Sequence, residues 1–237
     1  MLNKIDYEEV VKFKRYKPRD TNNSSILYYH NNIIYKLPFF FDQNRIEVIN
    51  YISECNYDNL IKIKDFIMQE GFAIGYSFKF YDNYKSLAKF SKRDIKLKIK
   101  DCHKVIDIFN MLVDNGLTYM DYHCGNILLN PKTDDIKLCD IDSLIADDCI
   151  NDFIWSNQSA MALCLEYLYG FPVIFMKRLI EDGEPLNKDN LINKFYTNIT
   201  NDNLYDFHNV LEQLDLELLL KEQKTLKPKV KKLKKYI

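Results

Sequence analysis

Apolar residues in the first eighty positions fall mainly in short β-branched or aromatic runs, whereas beyond residue 94 they recur every three or four positions. The change of period predicts a sheet-rich N-terminal part followed by a helical part. Residues 10–16 (Val-Val-Lys-Phe-Lys-Arg-Tyr) alternate as a strand would, and the polar stretch 17–25 predicts a loop. Residues 26–30 and 33–37 predict a hairpin around Asn31-Asn32, whose side chains tolerate positive φ, with Lys36 on its second strand. Ile46, Ile49 and Ile52 share one face of a short helix over 42–55, and Arg45, Glu47, Asn50 and Glu54 fill the other positions. Residues 60–68 and 72–80 flank Gln69-Glu70-Gly71 as a second strand pair, which completes a β-β-β-α-β-β order.

From residue 95 to 115, Val105, Ile108, Phe109 and Leu112 form the apolar stripe of a long helix that Asn115-Gly116 closes. Residues 127–129 and 136–139 predict a small hairpin, and 156–169 is so apolar that a helix there must be buried all round. Further helices are expected over 171–181, 189–197 and 204–221.

Composition narrows the function classes. With 237 residues and 47% hydrophobic content the chain can bury one large core or two small ones. A net charge of −1 gives no polybasic signature over the whole chain, so nucleic acid is not expected as a partner. Eight lysines against Glu222 from residue 221 onward give a basic tail over 221–237, expected to be a solvated end. No run of 18 apolar residues and no signal-type N-terminus is seen, so the expected location is cytoplasmic, with secretion as an effector left open. Six scattered cysteines lack zinc-type spacing and are expected to be reduced thiols. All six glycines lie at or beyond Gly71, which excludes a glycine-dependent phosphate loop near the N-terminus.

Chemistry concentrates in residues 118–129, Thr-Tyr-Met-Asp-Tyr-His-Cys-Gly-Asn-Ile-Leu-Leu, followed by Asp140 in Lys-Leu-Cys-Asp-Ile-Asp-Ser. Asp121 and Asn126 sit on a loop entering the small hairpin and Asp140 leaves its returning strand. Asn126 and Asp140 can thus converge on a hard cation such as Mg²⁺, which favours a few protein oxygens completed by phosphate oxygens. Asp121 is then available to accept or orient a hydroxyl proton.

On these residues the chain resembles the protein-kinase-like superfamily over about residues 10–220: a compact bacterial-type protein kinase, similar also to the aminoglycoside and choline phosphotransferases. Asp121-x-His123-x-x-Asn126 matches the catalytic loop of that family, and Asp140-Ile141-Asp142 stands where kinases carry D-F-G. The resemblance implies an α+β, two-lobed kinase-like fold. Its expected parts are a small N-terminal antiparallel lobe with one helix (1–80), a hinge (81–84), and a larger helical lobe (85–220) carrying the catalytic loop (119–126) and the metal motif (140–142). It implies that Lys36 holds the α- and β-phosphates of ATP, with Glu47 as its ion-pair partner and Glu54 as the alternative. Asn126, Asp140 and Asp142 are then the Mg²⁺ ligands, Asp121 the catalytic acid/base, and His123 a loop-orienting or γ-phosphate group. Ser24, Ser25, Lys79, Phe80 and Tyr81 complete the nucleotide contacts.

The departures are as informative. No glycine lies between the first two strands, Tyr119 replaces the His of H-R-D, Asp142 replaces the glycine of D-F-G, and no A-P-E stretch follows. The expected activity is ATP- and Mg²⁺-dependent transfer of the γ-phosphate to a hydroxyl, foremost on Ser or Thr of a protein. A small-molecule acceptor is one alternative, and a nucleotide-binding pseudokinase or interaction module is another. ATP and a protein or small-molecule hydroxyl acceptor are the expected partners, and no membrane is.

Overall fold

A computed structural model describes residues 2–17, 25–55, 57–146, 150–170 and 205–233. The chain is α+β, with a mixed six-stranded sheet and several helices. It divides into two compact units. The first comprises Met1–Lys85, Tyr119–Asp121 and Gly125–Asp147, and the second Ser86–Thr118, Tyr122–Cys124 and Asp148–Ile237.

The first unit begins with β1 (Asn3–Asp6), α1 (Tyr7–Val10), β2 (Lys14–Tyr16), β3 (Ser25–His30), β4 (Ile33–Pro38), α2 (Gln43–Cys55), β5 (Ile63–Gln69) and β6 (Phe72–Lys79). Its sheet runs β1-β5-β6-β4-β3-β2 and corrects the expected antiparallel lobe: the unforeseen strand β1 pairs parallel to β5, and the other pairs are antiparallel. The β3–β4 hairpin forms where the sequence places it, with Asn31 and Asn32 at φ 47° and 62°. The β5–β6 turn uses Glu70 and Gly71 at φ 50° and 88° in the same way.

The strand expected over 10–16 is a correction. Asp6 Oδ1 accepts from the Glu8 N–H at 2.9 Å and caps a single helical turn ending at the fully buried Val10, so extended structure starts only at Lys14. A local cap and one buried anchor override the alternation. Val10 joins Tyr35, Leu37 and Ile67 in a core on one sheet face, with Phe13, Ile26, Tyr28 and Ile74 packed around it. The opposite face carries Lys36, because cross-strand partners share a face and Lys36 pairs with Leu27 on β3 and Tyr76 on β6.

The chain passes between the units at β7 (Lys85–Ser86) and β8 (Leu117–Tyr119). Back in the first unit, β9 (Ile127–Asn130) and β10 (Asp135–Leu138) form the small hairpin, followed by a 3₁₀ turn (Ile141–Ser143) and β11 (Leu144–Ala146). Two backbone bonds fasten the returning strand to residues 59–61: Leu138 N–H to the Asn59 carbonyl at 2.8 Å and Ile61 N–H to the Leu138 carbonyl at 3.1 Å. Leu60, Ile61 and Leu138 are fully buried there, each contributing about 1.5–3 kcal/mol of apolar transfer. This junction fixes where the chain emerges at Asp140. Against the turn and β11 lies α2, whose Val48, Ile49 and Ile52 are buried.

In the second unit, α3 (Ile95–Asp114) is capped by Asp94 and packs on α4 (Ile150–Tyr169) and α5 (Tyr205–Glu212). The α4 segment 159–165 is wholly buried, as its composition predicts. A polar network is also buried. Arg93 pairs with Asp101 at 2.9 Å, the Tyr167 hydroxyl donates to Asp101 at 2.8 Å, and Lys98 Nζ donates to the Tyr167 carbonyl at 2.9 Å.

The expected helix over 204–221 is instead two. The second, α6 (Leu216–Leu233), restarts at Asp215, whose Oδ1 accepts from the Glu217 and Leu218 N–H groups. Much of the basic tail is therefore helix, anchored by buried Leu219, Leu226 and Val230 and by a hydrogen bond from the Tyr169 hydroxyl to Glu222 at 2.8 Å. The helices expected over 171–181 and 189–197 lie outside the described residues. Among the described residues no helix is long and apolar enough to cross a membrane.

Candidate functional site

The first unit brings Lys36, Asp140 and Asp142 together. Lys36 leaves the middle of β4 with its side chain 5% exposed, and its ammonium bonds Asp140 Oδ1 and, at 2.6 Å, Asp142 Oδ1. Two carboxylates thus share one ammonium. Burial alone would lower the Lys36 pKa, but Asp142 and Asp140 outweigh it and hold the amine charged. For Asp140, burial raises the pKa, Lys36 draws it down, and the charges of Asp142 and Asp121 push it up, with the balance upward. The cluster is short of positive charge.

Asp142 is held from three sides. The fully buried Tyr76 hydroxyl donates to Asp142 Oδ1 at 2.5 Å, and Arg45 Nε donates to the Asp142 carbonyl at 2.8 Å. Burial and then Asp142 raise the Tyr76 pKa well above its ordinary value, so the phenol stays a donor. Arg45 is itself fixed by Asp42 at 3.1 Å and lies over the Phe40 ring at 4.5 Å.

Asn126 turns its amide to Asp121, a pairing the sequence reading did not name: Asn126 Nδ2 donates to Asp121 Oδ2 and to its carbonyl, both at 2.9 Å. Asp121 is exposed. The loop and the end of β10 are tied by the Cys139 N–H to the Asn126 carbonyl at 2.9 Å and by the buried Tyr119 hydroxyl to the Cys139 carbonyl at 3.0 Å. Burial pushes the Cys139 thiol up to about 12, so it is inert as a nucleophile.

Glu47 does not pair with Lys36, contrary to expectation. Its carboxylate is exposed and accepts from Gln43 Nε2 at 3.0 Å, four residues back on the same face of α2. Glu54, the alternative, is exposed too. His123 is half-buried and groups with the second unit. Ser24 lies outside the described residues, and Ser25 sits in β3 opposite Pro38. Lys79 is exposed at the end of β6, and Tyr81 accepts at its hydroxyl from the Lys62 N–H at 3.1 Å. Phe80 lines a cavity of about 440 Å³ with Lys14, Arg15, Tyr16, Lys17 and Tyr29. Tyr16 and Tyr29 both meet Phe80 edge-on, at 5.9 and 5.3 Å between ring centres.

That cavity opens on the Lys36 face. Tyr16, Leu27 and Lys36 are successive cross-strand partners, so the Tyr16 and Lys36 backbones are two strand spacings apart, about 10 Å. Sequence reasoning missed Tyr16, Tyr29, Tyr76 and Arg45. The register of the hairpin would have placed Tyr16 and Tyr29, but nothing local marks the Tyr76 hydroxyl or the Arg45 fork as site groups.

Among the described residues no group of three or more His, Cys, Asp or Glu side chains is arranged to hold a metal. The carboxylates of Asp140 and Asp142 meet at Lys36, and Asn126, whose Nδ2 bonds Asp121, carries a side-chain carbonyl of the same hard type. A divalent cation completed by phosphate oxygens would need hard donors of this kind. Scanned against protein-family models the chain matches none, and no curated protein matches it.

Proposed function

We propose that the chain is an ATP- and Mg²⁺-dependent phosphotransferase with a two-lobed kinase-like fold, moving the γ-phosphate to a hydroxyl, foremost on Ser or Thr of a protein. The observation that carries this reading is the convergence of Lys36 with Asp140 and Asp142 beside the Asp121–Asn126 pair. Few structural roles call for a buried lysine shared by two carboxylates whose combined charge it cannot balance. A nucleotide supplies what is missing: its phosphates would share the Lys36 ammonium, and its Mg²⁺ would take Asp140 and Asn126 while Asp142 stays on Lys36. The bound metal would neutralise charge on the transferring phosphate.

The protein's own groups have separate tasks. Lys36 binds the α- and β-phosphates as a fixed point charge. The aromatic cavity on the same sheet face, about 10 Å away and edged by Lys14, Arg15 and Lys17, is at the right reach for a base and ribose. Asp121 accepts or orients the acceptor hydroxyl, and its exposure lets a side chain carried on a separate protein reach it. Asn126 holds the Asp121 carboxylate at 2.9 Å in the orientation that task needs.

The test is transfer itself. ATP labelled at the γ- or α-phosphate is incubated with the chain and with protein and metabolite extracts, with Asp121→Ala as control. Label from the γ position on a protein hydroxyl, lost in Asp121→Ala, is the expected result. Label from the α position would convict the chain of nucleotidyl transfer instead. A melting temperature unmoved by ATP with Mg²⁺ would remove the nucleotide altogether.

A further inference from the structure

We infer that Asp142 is the positioning residue that fixes Lys36, that Tyr76 and Arg45 act through it, and that Glu47 has no part in placing the lysine. This rests on the phosphotransferase reading for its catalytic meaning, but its geometry stands apart from it. Lys36 has two carboxylate partners, and both come from the segment after β10. Asp140 is claimed by the metal in that reading, which leaves Asp142 as the standing counter-charge when nucleotide is bound. Asp142 is also the better anchored of the two: its side chain is 11% exposed against 25% for Asp140. Its Oδ1 takes the buried Tyr76 hydroxyl at 2.5 Å as well as Lys36 at 2.6 Å, and its carbonyl takes Arg45 at 2.8 Å.

Tyr76 is the register partner of Lys36 on the neighbouring strand, with the ammonium 5.8 Å from the centre of its ring. Lysine, tyrosine and aspartate thus close a ring around one carboxylate oxygen. Its tyrosine and lysine are set by sheet hydrogen bonds, and its aspartate by the junction of β10 with residues 59–61. The helix α2 meets this turn by packing and through Arg45, a donor to backbone, while its Glu47 bonds Gln43 instead of Lys36.

Two measurements test this together. Double-mutant cycles on urea midpoints use Lys36→Met with Asp142→Asn and Lys36→Met with Glu47→Gln. Removing the lysine strands buried carboxylates, so Asp142→Asn in that background should raise the midpoint, whereas Glu47→Gln should add nothing. The second measurement compares Tyr76→Phe and Glu47→Gln by turnover, KM for ATP and melting temperature. A lost hydrogen bond to a buried carboxylate should cut kcat about tenfold in Tyr76→Phe with KM for ATP near the parent's and the melting temperature a few degrees lower, and Glu47→Gln should stay within twofold in kcat. Coupling of Lys36 to Glu47 but not to Asp142, or a kcat loss in Glu47→Gln and none in Tyr76→Phe, overturns the inference and leaves the phosphotransferase reading standing. The expected Lys36–Asp142 coupling in a chain that transfers no phosphate overturns the phosphotransferase reading and the positioning role with it.

Discussion

Gly75 sits on β6 one residue before Tyr76, where a methyl group built on its α-carbon would lie 2.2 Å from the Lys36 carbonyl oxygen. It would also stand 3.2 Å from the Lys36 carbonyl carbon and 3.1 Å from a Leu37 methyl. Carbon and oxygen in adjacent strands rest about 3.3 Å apart or more, so Gly75→Ala must part β4 from β6 by about 1 Å. The obstacle is backbone and cannot rotate away. Overpacking of this kind costs about 1–3 kcal/mol, which in a chain of this length lowers the melting temperature by about 2–12 °C. The displaced residue is Lys36 itself, and a misplacement of about 1 Å at a site of this kind costs about 10²-fold in rate. Differential scanning fluorimetry and labelled-phosphate turnover check the two effects. Gly71→Ala is the control: its φ of +88° makes any side chain strained, yet nothing lies within 4 Å of the added methyl. It should lose stability by about 1–2 kcal/mol while keeping turnover. Equal loss of turnover in both variants, or none in Gly75→Ala, would refute the argument from close approach.

Asp140→Asn removes one of two carboxylates that compete for Lys36, so the melting temperature should hold or rise slightly while γ-phosphate transfer falls by about 10²–10³. His103 of α3 stacks on His208 of α5 with Nδ1 atoms 2.6 Å apart, and burial and then His208 depress its pKa, with Glu212 of α5 and Asp107 of α3 opposing. A depressed histidine stabilises the fold above its unfolded pKa of about 6.5 and loses that contribution as pH falls, so the urea midpoint should drop from pH 7.5 to 5.5 and the drop should shrink in His103→Gln. Asp135 is opposed by burial but drawn down by the Tyr84 hydroxyl and Lys137, so its stabilising contribution is present above about pH 3.9 and is lost as pH falls through its lower folded pKa. Acid titration of the melting temperature from pH 5 to 3 should therefore be flatter in Asp135→Asn.

Legibility followed the range of the interactions. The β3–β4 and β5–β6 hairpins announce themselves through Asn31-Asn32 and Glu70-Gly71, because a two-residue turn that needs positive φ selects its residues locally. The spans of α2 and α3 were legible from their local apolar period, and of the residues named on the family resemblance the structure brings Lys36, Asp140 and Asp142 together. The partner of Lys36 was not legible. The family resemblance picks Glu47, but the face of α2 that meets the turn at Ile141–Ser143 is set by Val48, Ile49 and Ile52, and this leaves Glu47 exposed. Tyr76 and Asp142 are separated from Lys36 by 40 and 106 positions, and only the assembled sheet and the β10 junction reveal that their atoms meet. The lysine-rich tail failed differently. Its charge suggests a solvated end, while Leu219, Leu226 and Val230, one per turn or two, bury a stripe too sparse to stand out against eight lysines.

Asp140 carries the backbone conformation that bears most on the proposed site. Of the non-glycine residues at positive φ, Asn31, Asn32 and Glu70 serve hairpins, and Asp134 closes the β9–β10 turn. Asp140, at φ 60° and ψ 43°, lies in no hairpin; it follows β10 and opens a 3₁₀ turn. Left-handed backbone costs a non-glycine residue about 1–2 kcal/mol, and glycine would remove that cost at once. Two bonds pin the residue on either side: the Cys139 N–H to the Asn126 carbonyl at 2.9 Å before it and the Ser143 N–H to the Asp140 carbonyl at 3.0 Å after it. The conformation aims the carboxylate at Lys36 and lets the chain double back so that Asp142 reaches the same ammonium. An extended residue at 140 would carry Asp142 away along the strand direction by about 7 Å over two positions. The strain at Asp140 and the second carboxylate on Lys36 are therefore one feature. A side chain that resolves the strain without supplying the carboxylate, as in Asp140→Gly, should stabilise the first unit and abolish transfer together, a trade that places the cost of this turn at the site rather than in the fold.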